Sequence, residues 1–210
     1  LTFVGDCTLG GEDWLINREG SFHDYARKEG YTYFFEKMRD FFSEDDLTII
    51  NFEGVLKDDS RDAVNKTYCF RGPTDFARIL PLSSIEAVNL DNNHTLDYGK
   101  RGKTSTVEAL TGAGVHVFDE LTPYIYEKDG IKIAFFGMQH VHFFSLREQL
   151  KEQIRILREE ESVDAIIFAQ HAGTEYSSQH TNAQTELAHK LIDMGADFIA
   201  GSHPHVVQGL

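Results

Sequence analysis

Short apolar runs that end on a polar side chain or a glycine recur along this chain, and they constrain its fold more than any other feature. Thr2 to Val4 runs into Gly5-Asp6, and Leu47 to Phe52 runs into Glu53-Gly54. Ala87 to Leu90 leads to Asp91-Asn92-Asn93-His94, Ala165 to Gln170 to His171, and Phe198 to Ala200 to Gly201-Ser202-His203-Pro204-His205. Unbroken hydrophobicity over so few residues suits strands covered on both faces. Apolar residues at helical spacing between them predict helices over 33–42, 74–80, 102–113, 146–160 and 183–194. Thr74 is the expected cap of the second of these, and Pro81 its end. Strands alternating with helices predict an α/β domain with a largely parallel central sheet. Two alternating runs over 123–136, joined by Asp129-Gly130, predict a β-hairpin.

Composition limits the partners. The 210 residues include 34 acidic and 20 basic side chains, for a net charge of −14, which disfavours nucleic acid and anionic lipid as bulk partners. No apolar run approaches the roughly 20 residues of a membrane span. Cys7 and Cys69 are too few for a disulfide framework or a thiolate zinc site, and two free thiols are expected. The chain opens on Leu1 without an initiator Met, so any signal peptide or anchor is expected upstream. The basic trio Lys100, Arg101 and Lys103 reads as a solvated face.

In open α/β sheets ligands bind beyond the carboxyl ends of the strands. Here those ends carry Asp6, Glu53, Asn93 with His94, His171, and His203 with His205. Singly, each has a bland explanation: Asp6 as a turn cap, Glu53 as a solvated carboxylate, Asn93 in a left-handed turn, the histidines as satisfied core or edge residues. Their coincidence at matching positions points instead to a metal site. Extended backbone would turn His203 and His205 to one face, as half of such a site. Carboxylate, amide oxygen and imidazole without thiolate suit Mn, Fe, Zn, Ni or Mg, and the number of donors suits two adjacent ions.

Several stretches together resemble the successive motifs of the CapA family, bacterial capsule and poly-γ-glutamate synthesis proteins with a metallophosphatase-like fold. They are Gly5-Asp6, Asn51-Phe52-Glu53-Gly54, Phe70-Arg71-Gly72-Pro73, Asn92 through Gly99, His171-Ala172-Gly173-Thr174-Glu175-Tyr176, and Gly201 through Gly209. The resemblance covers essentially the whole chain, in order, as a single domain over 1–210. It implies an α/β/β/α sandwich whose further strands lie beyond Leu210, and an open sheet edge near the hairpin.

The same resemblance implies one or two divalent metal ions (Mn, Fe, Zn or Mg). Asp6 and His205 would hold one ion, Glu53 would bridge, and Asn93, His171 and His203 would hold the other. It makes His94 the acid that protonates a leaving group, and it puts Arg71 and Glu175 at the substrate. The implied substrate is an anionic polymer or a phosphoester. The implied setting is a membrane-associated synthesis complex, at the cell surface or outside the cell.

The sequence departs from the phosphoesterase pattern at Thr8, where a metal-binding histidine is expected, and at Glu53, where aspartate is expected. Ala172 stands where the family usually has tryptophan. The first departure keeps a second reading open: a non-catalytic assembly or export factor that retains a remnant metal site.

Overall fold

The computed structural model describes residues 1–209, and the chain divides into two compact units, Leu1–Val117 and Phe118–Leu210. Among the described residues no helix is long and apolar enough to cross a membrane.

The first unit holds strands β1 (Thr2–Cys7), β2 (Thr48–Phe52), β3 (Val55–Leu56), β4 (Arg71–Gly72), β5 (Ala87–Asn89) and all but the last residue of β6 (His116–Phe118). Its helices are α1 (Phe22–Glu29), α2 (Arg39–Ser43) and α3 (Gly99–Gly112). The main sheet has the order β1-β2-β5-β6, with β1 and β5 both parallel to β2, and β3 pairs with β4 separately. β2 is buried along its whole length, as its apolar run requires. Its neighbours Val88 and Leu90, with Leu56, Phe76, Ile79, Leu80 and Leu110, form one apolar core. α3 is pinned to β3 by Ser105 Oγ, which donates to the Leu56 carbonyl at 2.7 Å, and by the Leu56 N–H, which donates to Thr106 Oγ1 at 2.9 Å. Gly102 permits this approach, since a Cβ there would lie 3.1 Å from Val55 Cγ1 of β3 and 2.8 Å from the Tyr98 Cβ.

The second unit holds β7 (Tyr124–Lys128), β8 (Ile131–Gln139), α4 (His140–Glu159), β9 (Ala165–His171), α5 (Asn182–Met194) and β10 (Phe198–Ser202). Its sheet has the order β10-β9-β8-β7; β8, β9 and β10 run parallel and β7 is antiparallel to β8. Ala134, Phe136, Ile166 and Phe168 from the strands and Phe143, Leu150, Leu187 and Leu191 from the helices make its own core. Thr181 and Gln184 cap the start of α5 reciprocally, and Gly195, at φ 121°, ends it. The hairpin is as expected: Lys128 pairs with Ile131, and Asp129 and Gly130 both have positive φ, as a type I′ turn requires.

Four expectations need correction. The strand exits belong to two sheets rather than one central sheet, with β1, β2 and β5 in the first and β9 and β10 in the second. The helix expected over 33–42 is a short 3-10 turn at Tyr31–Tyr33, a non-helical stretch, and then only α2. Phe34 stacks on Phe22 with ring centroids 3.9 Å apart, whereas Met38 and Phe41 are exposed. Ring stacking between segments has overridden the helical period. Thr74–Ile79 is a 3-10 helix with Pro73 at its cap; Thr74 instead receives its partner from Asp58, and Pro81 opens a second 3-10 turn. Finally, α4 starts at His140, directly after β8, rather than at Leu146.

Candidate functional site

In the first unit the pairing of β1 with β2 shifts between Val4 and Asp6, so Gly5 is an extra residue and Asp6 lies opposite Asn51. Irregularities of this kind re-aim the side chain that follows them. Asn51 Nδ2 donates to Asp6 Oδ1 at 2.7 Å. Asn51 Oδ1 in turn accepts from Asn89 Nδ2 at 3.0 Å and from Asn92 Nδ2 at 3.2 Å. Asn92 also donates to the Phe52 carbonyl at 2.7 Å, and its Oδ1 accepts the His94 N–H at 3.0 Å. A continuous amide relay therefore runs from Asp6 at the end of β1 to His94 in the loop after β5. Glu53 follows β2 directly, is buried, and donates its N–H to the Cys7 carbonyl at 2.9 Å.

Desolvation, with the nearby Asp6 and Glu53 carboxylates, pushes the Cys7 thiol up to about 12. Both cysteines are free, and Cys7 is held as a neutral thiol. The donors around Asp6 and Glu53 are thus oxygen and nitrogen, as hard or borderline divalent ions prefer.

His94 is the most tightly held candidate. Its Nδ1 lies 2.7 Å from Asp97 Oδ2, and Asp97 is 1% exposed. The Phe70 N–H also donates to Asp97 Oδ2, at 2.8 Å, and the Phe70 ring stacks on the imidazole with centroids 4.3 Å apart. Lys66 Nζ reaches Asp97 Oδ1 at 3.0 Å, the Asn93 carbonyl at 2.8 Å and His94 Nδ1 at 3.2 Å. With Nδ1 turned to the carboxylate, Nε2 is the nitrogen left for proton transfer. Asn93 itself is exposed.

Arg71 is buried, and its donors have protein partners. Nε and an Nη meet Asp13 at 2.8 and 2.6 Å, and the other Nη donates to the Lys57 carbonyl at 2.7 Å. Tyr98 Oη donates to the second Asp13 oxygen at 2.9 Å, and desolvation, reinforced by this bond, raises its phenol well above the usual range.

In the second unit His171, the last residue of β9, is buried, and its Nδ1 lies 3.1 Å from Ser202 Oγ at the end of β10. The His171 and His203 rings are 4.5 Å apart, and the His203 and His205 rings 5.9 Å. The two histidines do converge, but not through extended backbone: β10 ends at Ser202, and His203 and His205 have φ of 98° and 57°. Pro204 between them cannot donate to a ladder, and its carbonyl accepts from the Tyr176 N–H at 2.8 Å. Glu175, His203 and His205 each offer a ligand atom within 4.8 Å of the others, a group able to hold a metal ion. Ligands about 2.0–2.2 Å from an ion stand roughly 3–4 Å apart when three share it, so two imidazoles and a carboxylate grouped in this way form a donor set that a divalent metal would draw together.

Each unit thus gathers its own candidates: Asp6, Glu53, Asn93, His94 and Arg71 in the first, and His171, Glu175, His203 and His205 in the second. Sequence reasoning missed the groups that hold them. Asp97 lies three residues after His94, where a short turn brings it back, and was readable as a partner. Lys66, Asn51 and Ser202 meet their partners over long sequence separations and left no local signal.

Comparison with known proteins adds the family. The model of the family described as bacterial capsule synthesis protein PGA_cap matches residues 1–210. The capsule biosynthesis protein CapA of Bacillus anthracis is 26% identical over 235 residues, covering 99% of this chain and 54% of that protein. The PGA biosynthesis protein CapA of Bacillus subtilis (strain 168) is 24% identical over 227 residues, covering 99% and 57%. The chain spans about half the length of these curated relatives. The crystal structure of a hypothetical protein from Thermus thermophilus matches with a TM-score of 0.51 at 20% identity, over 97% of this chain and 67% of the other. That likeness concerns the fold alone, which is mixed α/β.

Proposed function

The chain belongs to the bacterial capsule synthesis family PGA_cap, and from that premise we propose that it serves the production of a capsule or of poly-γ-glutamate as a metal-dependent hydrolase of a phosphoester or related bond. The ligands in this reading are Asp6, Glu53 and Asn93 with His171, His203 and His205, for one or two divalent ions (Mn, Fe, Zn or Mg). A divalent ion held by such groups supplies Lewis-acid polarisation and charge neutralisation at a phosphoryl oxygen. The remaining roles fall to the chain itself. His94 gives a proton from Nε2 to the departing oxygen, while Asp97 and the stacked Phe70 ring keep the imidazole oriented. Arg71 contributes by clamping Asp13 and, through it, Tyr98.

The observation that carries this reading is the buried His94–Asp97 pair at 2.7 Å, a positioned proton donor beside a run of amide and carboxylate ligands. A net charge of −14 means that an anionic polymer approaches only where bound cations offset it. The names of the relatives support a partner of that kind, together with a surface-associated synthesis complex, and nothing in the composition favours nucleic acid.

Protein purified without chelator is expected to carry divalent metal, and His171→Ala and His203→Ala are expected to lose it. Metal-free protein whose added-metal affinity is unchanged in both variants would end the reading. Thr8, in place of a ligand histidine, favours the second reading, a non-catalytic assembly or export factor. Assays of generic phosphoesters with added Mn decide between the two. Turnover lowered about 10²–10⁴-fold in His94→Ala, the usual worth of a general acid, supports the hydrolase; metal binding without turnover supports the factor.

A further inference from the structure

We propose that Glu175 is a metal ligand, forming with His203 and His205 a divalent-cation site built wholly within the second unit. The proposal rests on the reading above that the histidines after β10 hold metal; it changes the part played by Glu175 and places His203 and His205 on one ion rather than on two. A carboxylate set to meet an anionic substrate directly would repel it, whereas the same carboxylate on a cation lowers the charge that two neutral imidazoles leave uncompensated.

The geometry supports the ligand role. The carboxylate oxygen and the two imidazole nitrogens lie within 4.8 Å of one another, and Glu175 and His205 are both exposed, which gives an ion a path from solvent. The three donors come from two loops, one after β9 and one after β10, and the loops are tied at their centre. The Tyr176 N–H, adjacent to Glu175, donates to the carbonyl of Pro204, the residue between the two histidines, at 2.8 Å. The Tyr176 ring lies 5.8 Å from that of His205. Farther along, Gln208 Nε2 donates to the Ser177 carbonyl at 2.8 Å and Gln208 Oε1 accepts from Gln184 Nε2 at 3.0 Å, which braces both loops against α5. The donors are therefore brought together by the chain's own bonds.

The test uses the full chain, stripped with chelator and titrated with Zn²⁺ against a chromogenic chelator, then with Co²⁺ followed by its visible absorption. Glu175→Gln is expected to weaken one bound ion by at least about tenfold and to alter the Co²⁺ spectrum, with Glu175→Asp recovering part of the affinity. Far-UV circular dichroism of the variants should match the parent, since Glu175 is exposed. If Glu175→Gln binds with the parent's stoichiometry, affinity and spectrum while His203→Ala does not, the proposal is wrong and the metal reading stands. If the parent binds no ion, both fall.

Discussion

The two units hold their candidate groups in opposite ways. In the first, side chains do most of the positioning: Asp6, Asn51, Asn89, Asn92, His94, Asp97 and Lys66 form one hydrogen-bonded chain, joined between Asn92 and His94 through the His94 N–H and mostly buried. In the second, the backbone does the positioning, through sharp bends at Tyr176, His203 and His205, all non-glycine residues at positive φ. A buried polar network is strong when complete and fails when one member is removed. A bent loop keeps its shape when a side chain is trimmed, and its strain is local. The first unit should therefore be intolerant of single polar deletions and the second forgiving of them.

The largest effect is expected at Asp97. Asp97→Ala leaves Lys66 and His94 without their shared carboxylate and should lower stability by about 3 kcal/mol in urea unfolding. A loss comparable to that of an exposed residue would remove the contrast between the units. Next comes Asn51→Leu, which strips partners from Asp6, Asn89 and Asn92 and should cost about 1–3 kcal/mol by the same measurement. In the second unit Tyr176→Gly is expected to be neutral or stabilising, by up to about 1 kcal/mol, because glycine accepts φ of 60° without strain. A clear destabilisation there would show that the Tyr176 ring, and not the bend, holds the loop.

The last effect is a pH dependence, absent at neutral pH and confined to alkaline solution. The folded state holds the Cys7 proton more tightly than the unfolded chain, whose thiol ionises near 9. The contribution is complete below pH 9 and is lost as pH rises through 9 toward about 12. Unfolding followed across that window should show a fall that is shallower in Cys7→Ala. The same tightly held proton means that alkylation near pH 8 labels Cys69 ahead of Cys7, which mass spectrometry reads directly.

The strands were legible because burial leaves a plain mark: every residue of β2 is buried, and so is all of β9 after Ala165. Their exits located Asp6, Glu53, His94, His171 and His203, since a polar residue after an apolar run shows where a strand ends. What joins these residues was less legible. Asn51 sits inside an apolar run and reads as one more strand position, yet it is the hub of the relay. Phe34 and Phe35 imitate a helical stripe but serve inter-segment packing, because a stacked ring satisfies burial as well as a helix face does. The alternation rule for strands failed at His203 and His205, where a proline and two left-handed residues replace the strand.

The extra residue at Gly5 has a consequence of its own. Before it, Thr2, Phe3 and Val4 keep step with Thr48, Ile49 and Ile50; after it, Asp6 and Cys7 keep step with Asn51 and Phe52. One strand therefore carries two phases, the first answering to the apolar interior and the second to the polar end. Deleting Gly5 would leave both sets of neighbours in register, Asp6 still opposite Asn51, and would remove the local bend that the extra residue puts into the strand just before its acidic end. A lesion of that kind separates folding from chemistry: the interior stays intact while the strand loses the bend that aims its acidic end.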